Sequence, residues 1–348
     1  VREDSGRVPK ADLAWHVRAW GQWVLDRARR DLAQFYPTYA DFEPLDTKIA
    51  KPYEKRPMQL VPLKEDGTPD IDALNKDFSE KYLKDKKNPR WVAKPTVAYL
   101  WARTVQCKNC RATVPLLKTR WLCKKDKKRV LLGMEPKADK TGVEFSVQDN
   151  VPAKAGNAAQ KREHDKRLAA GTMSRSGAKC PCCGAIMTGE DIRVEAMAGR
   201  LGYLCTSVVT DSARGKAYRL PTDRELGCAA SAAVELEPLF NEIPYGLPTE
   251  PISAGGSRAG GGSPFTVHLY GFNQWNKLFT PRQLIALGTV VKRTRESLNS
   301  MNYLPSVLRE AIYSGLTIGV DRLADRSSGL CRWDMGYEKI SSTFTRFA

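Results

Sequence analysis

Two Cys-x-x-Cys pairs constrain this chain more than any other feature: Cys107 with Cys110 in CKNC, and Cys180 with Cys183 inside KCPCCG. Two thiols with two residues between them can grip one side of a metal ion, and two such pairs supply the four soft ligands of tetrahedral zinc. The spacing predicts one zinc held by Cys107, Cys110, Cys180 and Cys183, each pair at a β-hairpin knuckle as in a zinc ribbon. Four protein ligands close the coordination shell, so such a metal holds structure and leaves no position for a reactive water. Cys182 lies within the second pair as an alternative ligand, but the loop geometry favours Cys180 with Cys183. Residues 111 to 179, 69 in all, separate the pairs, which is longer than in common ribbons and requires an inserted segment. Reduced buried cysteines and a redox pair are the other readings; the second lacks a thioredoxin-like βαβ pattern around either motif. Nine cysteines in all, an odd number, fit a reducing compartment and hence a cytoplasmic location.

Around this centre the chain reads as α+β: a zinc-ribbon-like, β-rich insertion flanked by an N-terminal helix and a C-terminal helical hairpin. Residues 1–37 form the first segment, where Leu13, Val17, Trp20, Val24, Ala28, Leu32 and Phe35 share one helix face that Pro37 ends. Residues 38–90 show no lasting period and are expected to be irregular, with a helix at 71–83. The β-rich domain covers 91–243. Its expected strands are TVAYLWARTVQC, TVPLLKTRWLC, RVLLGM, VEFSVQ, DIRVEAMAG, RLGYLCTSVVT and AYRLP, which carry alternation and β-branched or aromatic content. The stretch NVPAKAGNAAQKREHDKRLAAGTMSRSGAK reads as an insertion loop or short helix. Pro and Gly concentrate at 244–264, a linker whose GGSRAGGG lacks the ending of a phosphate loop. Residues 265–348 are helical: Thr280, Pro281 and Gln283 form a capping box, and a second helix follows Pro305 to about Arg326.

Charge directs attention to a polyanionic partner. Lys and Arg number 56 against 39 Asp and Glu, a formal net charge of +17. From Lys84 to Arg129 there are 15 Lys or Arg and two acids, a local +13. The candidate nucleic-acid contacts are Arg103, Lys118, Arg120, Lys124, Lys125, Lys127, Lys128 and Arg129, with Trp91, Tyr99, Trp101 and Trp121 as candidate stacking or core rings. The three histidines, His16, His164 and His268, are each solitary, and the DRLADR string at 321–326 reads as intrahelical ion pairs. No GxSxG, HExxH or GxGxxG occurs. No run supplies the roughly 20 apolar residues of a bilayer span, so no membrane partner is expected.

Several long strings resemble one family. WGQWVLDRARRDLAQFYP, VAYLWARTVQCKNCRATVPLLKTRWLCKK, GTMSRSGAKCPCCGA, YGFNQWNKLFTPRQLIAL and DRLADRSSGLCRW are similar, in this order, to segments of the adenine-specific DNA methylases that contain a zinc ribbon, some of them associated with phage defence. The resemblance skips residues 38–90. It implies methyl transfer from S-adenosylmethionine to the exocyclic amino group of adenine in DNA. That family's glycine-bearing cofactor loop and its catalytic Asp/Asn-Pro-Pro-Tyr are absent from these strings, so the expectation is an internal fragment inactive alone. S-adenosylmethionine would then be bound by the remainder of the parent methyltransferase chain. The place of such an insertion suggests a DNA reader; a structural staple or a protein-interaction module is the alternative.

Overall fold

The computed structural model describes residues 12–46, 52–213, 215–252 and 267–343, and the chain divides into two compact units, each assembled from three stretches of sequence. The fold is α+β, with every paired strand antiparallel.

The first unit comprises 1–95, 223–248 and 279–330. Its opening helix α1 (Leu13–Leu32) is capped by Asp12, whose carboxylate accepts the Trp15 N–H at 2.8 Å. A 3-10 turn at Ala33–Phe35 precedes Pro37 and finishes the helix. The described residues of 38–90 hold more regular structure than expected. Strands β1 (Tyr39–Pro44) and β2 (Gln59–Leu60) are followed by helices α2 (Ile71–Asn75) and α3 (Glu80–Lys84), and β3 (Pro89–Lys94) completes a β2-β1-β3 sheet. Ala40, Phe42, Val61 and Trp91 form its core. The expected single helix at 71–83 is two because Ser79 caps the second, and the buried Asn75 side chain binds both the N–H and the C=O of Trp91.

The second unit holds 96–222, 249–278 and 331–348. Strand β4 (Thr96–Gln106) runs into β5 (Thr113–Pro115), and a separate hairpin follows from β6 (Trp121–Lys125), β7 (Lys128–Pro136) and β8 (Val143–Gln148). The string TVPLLKTRWLC is therefore two strands in two sheets. Helix α4 (Ala158–Leu168) fills the expected insertion. Three short strands, β9 (Met173–Ser174), β10 (Gly177–Lys179) and β11 (Ile186–Met187), make a sheet in the order β11-β10-β9. DIRVEAMAG, expected as a strand, lies mostly in helix α5 (Gly189–Met197): Thr188 and Asp191 form a reciprocal capping box, and Ile192 and Ala196, four apart, are the buried pair. Strands β12 (Gly202–Ser212) and β13 (Gly215–Arg219) complete a β13-β12-β4-β5 sheet.

The chain then returns to the first unit through α6 (Asp223–Ser231), α7 (Leu236–Asn241), α8 (Pro281–Ser300) and α9 (Ser306–Arg326). Of the linker expected at 244–264, residues 253–264 lie outside the described ones. The capping box at Thr280 is present with Pro281 in the first turn. Helices α1, α8 and α9 bury Val24, Met301, Ile312 and Leu316 together. Along α9, Val307 and Ile318 are 78% and 62% exposed while Ile312 is fully buried. Beyond α9 the expected helical segment gives way to a hairpin of β14 (Trp333–Asp334) and β15 (Lys339–Ile340) in the second unit.

Three core clusters serve the second unit among the described residues, the smallest around Trp121, Leu131 and Ala169. Ala98, Leu122, Cys123, Val130, Leu132, Val209 and Tyr218 pack β4, β12 and β13 against β6 and β7, with Trp333 and Ile340 partly buried on the cluster. The third is built around the cysteines. No helix among the described residues is long and apolar enough to cross a membrane.

Candidate metal centre

The two cysteine pairs occupy matching turns. Strand β4 enters the first, where Cys107 N–H donates to Ala112 O at 2.9 Å and Arg111 N–H to Cys107 O at 3.0 Å. Strand β10 enters the second, where Cys180 N–H donates to Ala185 O at 2.8 Å and Gly184 N–H to Cys180 O at 2.9 Å. The fifth residue of each turn is left-handed: Arg111 at φ 61° and Gly184 at φ 77°. Upstream of the second turn, Gly177 sits at φ +125°, and a Cβ there would lie 2.0 Å from Met187 O, so no other residue fits.

Arg111 bears the conformational penalty that Gly184 avoids. Arg111→Gly is expected to stabilise the metal-loaded protein by about 0.5–1 kcal/mol, read as a shift of the urea midpoint. Gly184→Arg should lose a similar amount, although open space surrounds Gly184. Equal stability of all three proteins would contradict the matching of the two turns.

The turns bring all four sulfurs within 4.8 Å of one another. Cys107 Sγ lies 3.6 Å from Cys183 Sγ, and Cys110 Sγ lies 3.7 Å from Cys180 Sγ. These separations are far beyond a disulfide bond of about 2.05 Å and close to the S···S edge of about 3.8 Å that tetrahedral zinc with 2.3 Å bonds requires. The donor set and its geometry therefore fit a metal ion, and four thiolates are compatible with zinc. Cys107 and Cys180 are buried, while Cys110 and Cys183 face solvent. Cys182 is not part of the quartet: its Sγ donates to Gly142 O at 3.3 Å and it packs against the adjacent core.

Local electrostatics differ across the quartet. The Ala185 N–H, followed by the Asn109 side chain, pulls the Cys183 thiol down to about 6, whereas burial pushes Cys180 up to about 12. Val105, Ala112, Val114, Ala178, Met187 and Ile192 surround the inner sulfurs. An ion pair of 2.7 Å joins Lys108 in the first turn to Asp191, which also caps α5 beside the second. A metal ion on these sulfurs would join the β4–β5 and β10–β11 hairpins across this core.

The predicted nucleic-acid residues are placed very differently from one another. Arg103 is half-buried, its guanidinium 4.2 Å from the ring centres of both Tyr203 and Phe272, and burial lowers its pKa. Arg120 donates to the carbonyls of Ala170, Leu132 and Leu168. Lys124 and Arg129 both pair with the buried Asp165. Lys125 and Lys128 both pair with Glu338, which also accepts the Tyr218 hydroxyl. Lys118 and Lys127 are exposed. Of the aromatic candidates, Trp91 and Trp121 are core residues, and Tyr99 and Trp101 are half-buried.

Asp165 and Glu338 had no signal in the sequence as partners for this turn, because 36 and 210 residues separate them from Arg129 and Lys128. Against the upward push of burial, hydrogen bonds from Lys125, Lys128 and Tyr218 hold Glu338 down to about 2. No family model, curated protein or solved structure matches the chain.

Proposed function

We propose that the chain is the zinc-stapled, DNA-contacting part of an S-adenosylmethionine-dependent adenine-specific DNA methyltransferase, with one zinc on Cys107, Cys110, Cys180 and Cys183. The observation that carries the metal assignment is the convergence of the four sulfurs at separations suited to zinc. The metal has a structural role in this reading, because four thiolates complete its shell. The methyltransferase assignment rests on the family resemblance of the five strings in the sequence. Support for DNA as the partner comes from the net charge of +17, since phosphate contacts by Lys and Arg supply most non-specific affinity. Cofactor binding and methyl transfer belong to other parts of the enzyme in this reading, and no residue of this chain is assigned to them.

One observation favours a second reading, in which the zinc unit is a staple without DNA contact. Arg120, Lys124, Lys125, Lys128 and Arg129 are all engaged by carbonyls or carboxylates of the protein itself. The zinc-loaded chain should bind a fluorescent 20-base-pair duplex at low ionic strength, with log affinity falling linearly against log salt by about 0.9 per phosphate neutralised. No binding in low salt, or a flat salt response, would favour the staple.

A further inference from the structure

We infer that the DNA backbone is received along the exposed cationic side of α4, with Lys154 of the adjoining groove, and not by the 124–129 turn that carries the densest positive charge in the sequence. The inference rests on the DNA-contacting reading above and assigns it a surface. Charge that is already paired inside the protein is poorly placed to replace counterions on DNA, since a phosphate must compete with a carboxylate at the same cation. In the turn, Glu338 holds Lys125 and Lys128, and Asp165 holds Lys124 and Arg129.

Helix α4 shows the opposite distribution. Its sequence, AAQKREHDKRL, has no apolar stripe, and its one buried residue is the acidic Asp165. A polar helix of this kind gains little from the core and must be fixed by other means. Here the Asn157 capping box sets its start, Trp121 Nε1 donates to Asp165 O at 3.2 Å, and Arg120 grips Leu168 O at 2.7 Å. Arg129 and Lys124 neutralise Asp165 from the sheet side. Glu163, the other acid of the helix, is paired with Arg167 at 2.9 Å.

Lys161, Arg162 and Lys166 are all exposed, with Arg162 Nε donating to Ala158 O at 3.2 Å within the helix. Beside them a groove of about 690 Å³ is lined by Lys154, Gln160, His164 and Arg167 together with the paired Glu163. His164 Nδ1 is buried there, 3.6 Å from Asp165 Oδ1 and without a hydrogen-bond partner. The arrangement is a helix fixed at both ends, with both acids paired and its exposed cations beside an open groove, which suits a phosphodiester chain.

The test compares two charge-reversal pairs in the zinc-loaded chain, using anisotropy of the fluorescent duplex across a salt series. Lys154→Glu with Lys166→Glu should lower the salt slope by about 2 and weaken low-salt binding by about tenfold or more. Lys118→Glu with Lys127→Glu reverses two exposed cations of the basic stretch outside the groove and should leave both quantities nearly unchanged. Far-UV circular dichroism and melting of each double variant check that the fold is retained. The groove assignment is overturned if the wild type binds but the Lys118 and Lys127 pair carries the loss while the α4 pair does not. If the wild type itself fails to bind at low salt, the DNA reading falls and the groove assignment falls with it. Single reversals at Arg162 and Lys161, each expected to lower the slope by about 1, give a second measure should the double variant of α4 melt early.

Discussion

Cys180→Ser should abolish stoichiometric zinc binding and unfold the two-hairpin core, whereas Cys331→Ser should do neither. Cys180 is 1% exposed, is 3.7 Å from Cys110 Sγ, and belongs to both the quartet and its apolar surround. A serine hydroxyl is a poor zinc ligand, and the three remaining thiolates would face an incomplete shell. Structural zinc supplies on the order of 10 kcal/mol of folding energy in small metal domains, comparable with the entire stability of an ordinary domain. Sheet β11-β10-β9 has two- and three-residue strands and no other staple among the described residues. Cys331 instead meets the Thr343 hydroxyl at 3.1 Å, outside the quartet. Metal content by atomic spectrometry and amide exchange at residues 177–187 read the outcome. Zinc retained at wild-type affinity in Cys180→Ser would remove this centre from the account.

Asp165→Asn is expected to cost about 3–5 kcal/mol, the loss typical when one member of a buried ion pair is removed. Both partners of this pair have little contact with water: the Arg129 side chain is 11% exposed and that of Asp165 is 9%. The amide cannot balance Arg129 and Lys124 together, and α4 would lose the charge that holds its inner face. The Arg129 hydrogen bonds, opposed by burial and aided by Lys124, hold the Asp165 carboxyl well below its usual range. Because the folded-state pKa is depressed at Asp165 and at Glu338, their stabilisation is fully present above about pH 4.5. It should fade as acid takes the pH down toward 2, and Asp165→Asn should flatten part of that acid limb. A variant as stable as the parent at pH 7 would show that the pair contributes nothing net.

The metal quartet was legible because ligand spacing is a local property: two residues between thiols suffice to specify a turn. The capping box at Thr280 was legible for the same reason. At α5 the local evidence conflicted, since Ile192 and Val194 suggest a strand while Thr188 and Asp191 mark a helix start, and the buried pair at 192 and 196 settles it as helical. Strand β1 alternates from Ala40 to Pro44, but it was illegible because it is only six residues long and its core partners Val61 and Trp91 lie far along the chain. Glu43 turns inward to meet the buried Lys94. The basic turn misled for a related reason: its compensating acids come from α4 and from the β14–β15 hairpin, and a count over 84–129 cannot include them.

The discontinuity of the units sets an order of events during synthesis. Helix α1 ends at Leu32, but α8 and α9, which supply Met301, Ile312 and Leu316 to the same core, begin at Pro281 and Ser306. About 250 residues must be added in between, roughly 12–50 s at ribosomal elongation rates of 5–20 residues per second. Through that interval Val17, Trp20 and Val24 have no helical partner. The second unit waits in the same way, because Trp333 and Ile340 reach the core around Leu122 and Tyr218 only after nearly all of the preceding chain has emerged. A metal ion held by the four cysteines could join its two hairpins as soon as Cys183 leaves the ribosome. A metal centre on these cysteines could therefore form before either unit is closed, spanning the 76 residues from Cys107 to Cys183, a longer reach than the earlier β1–β3 pairing of Tyr39 with Lys94.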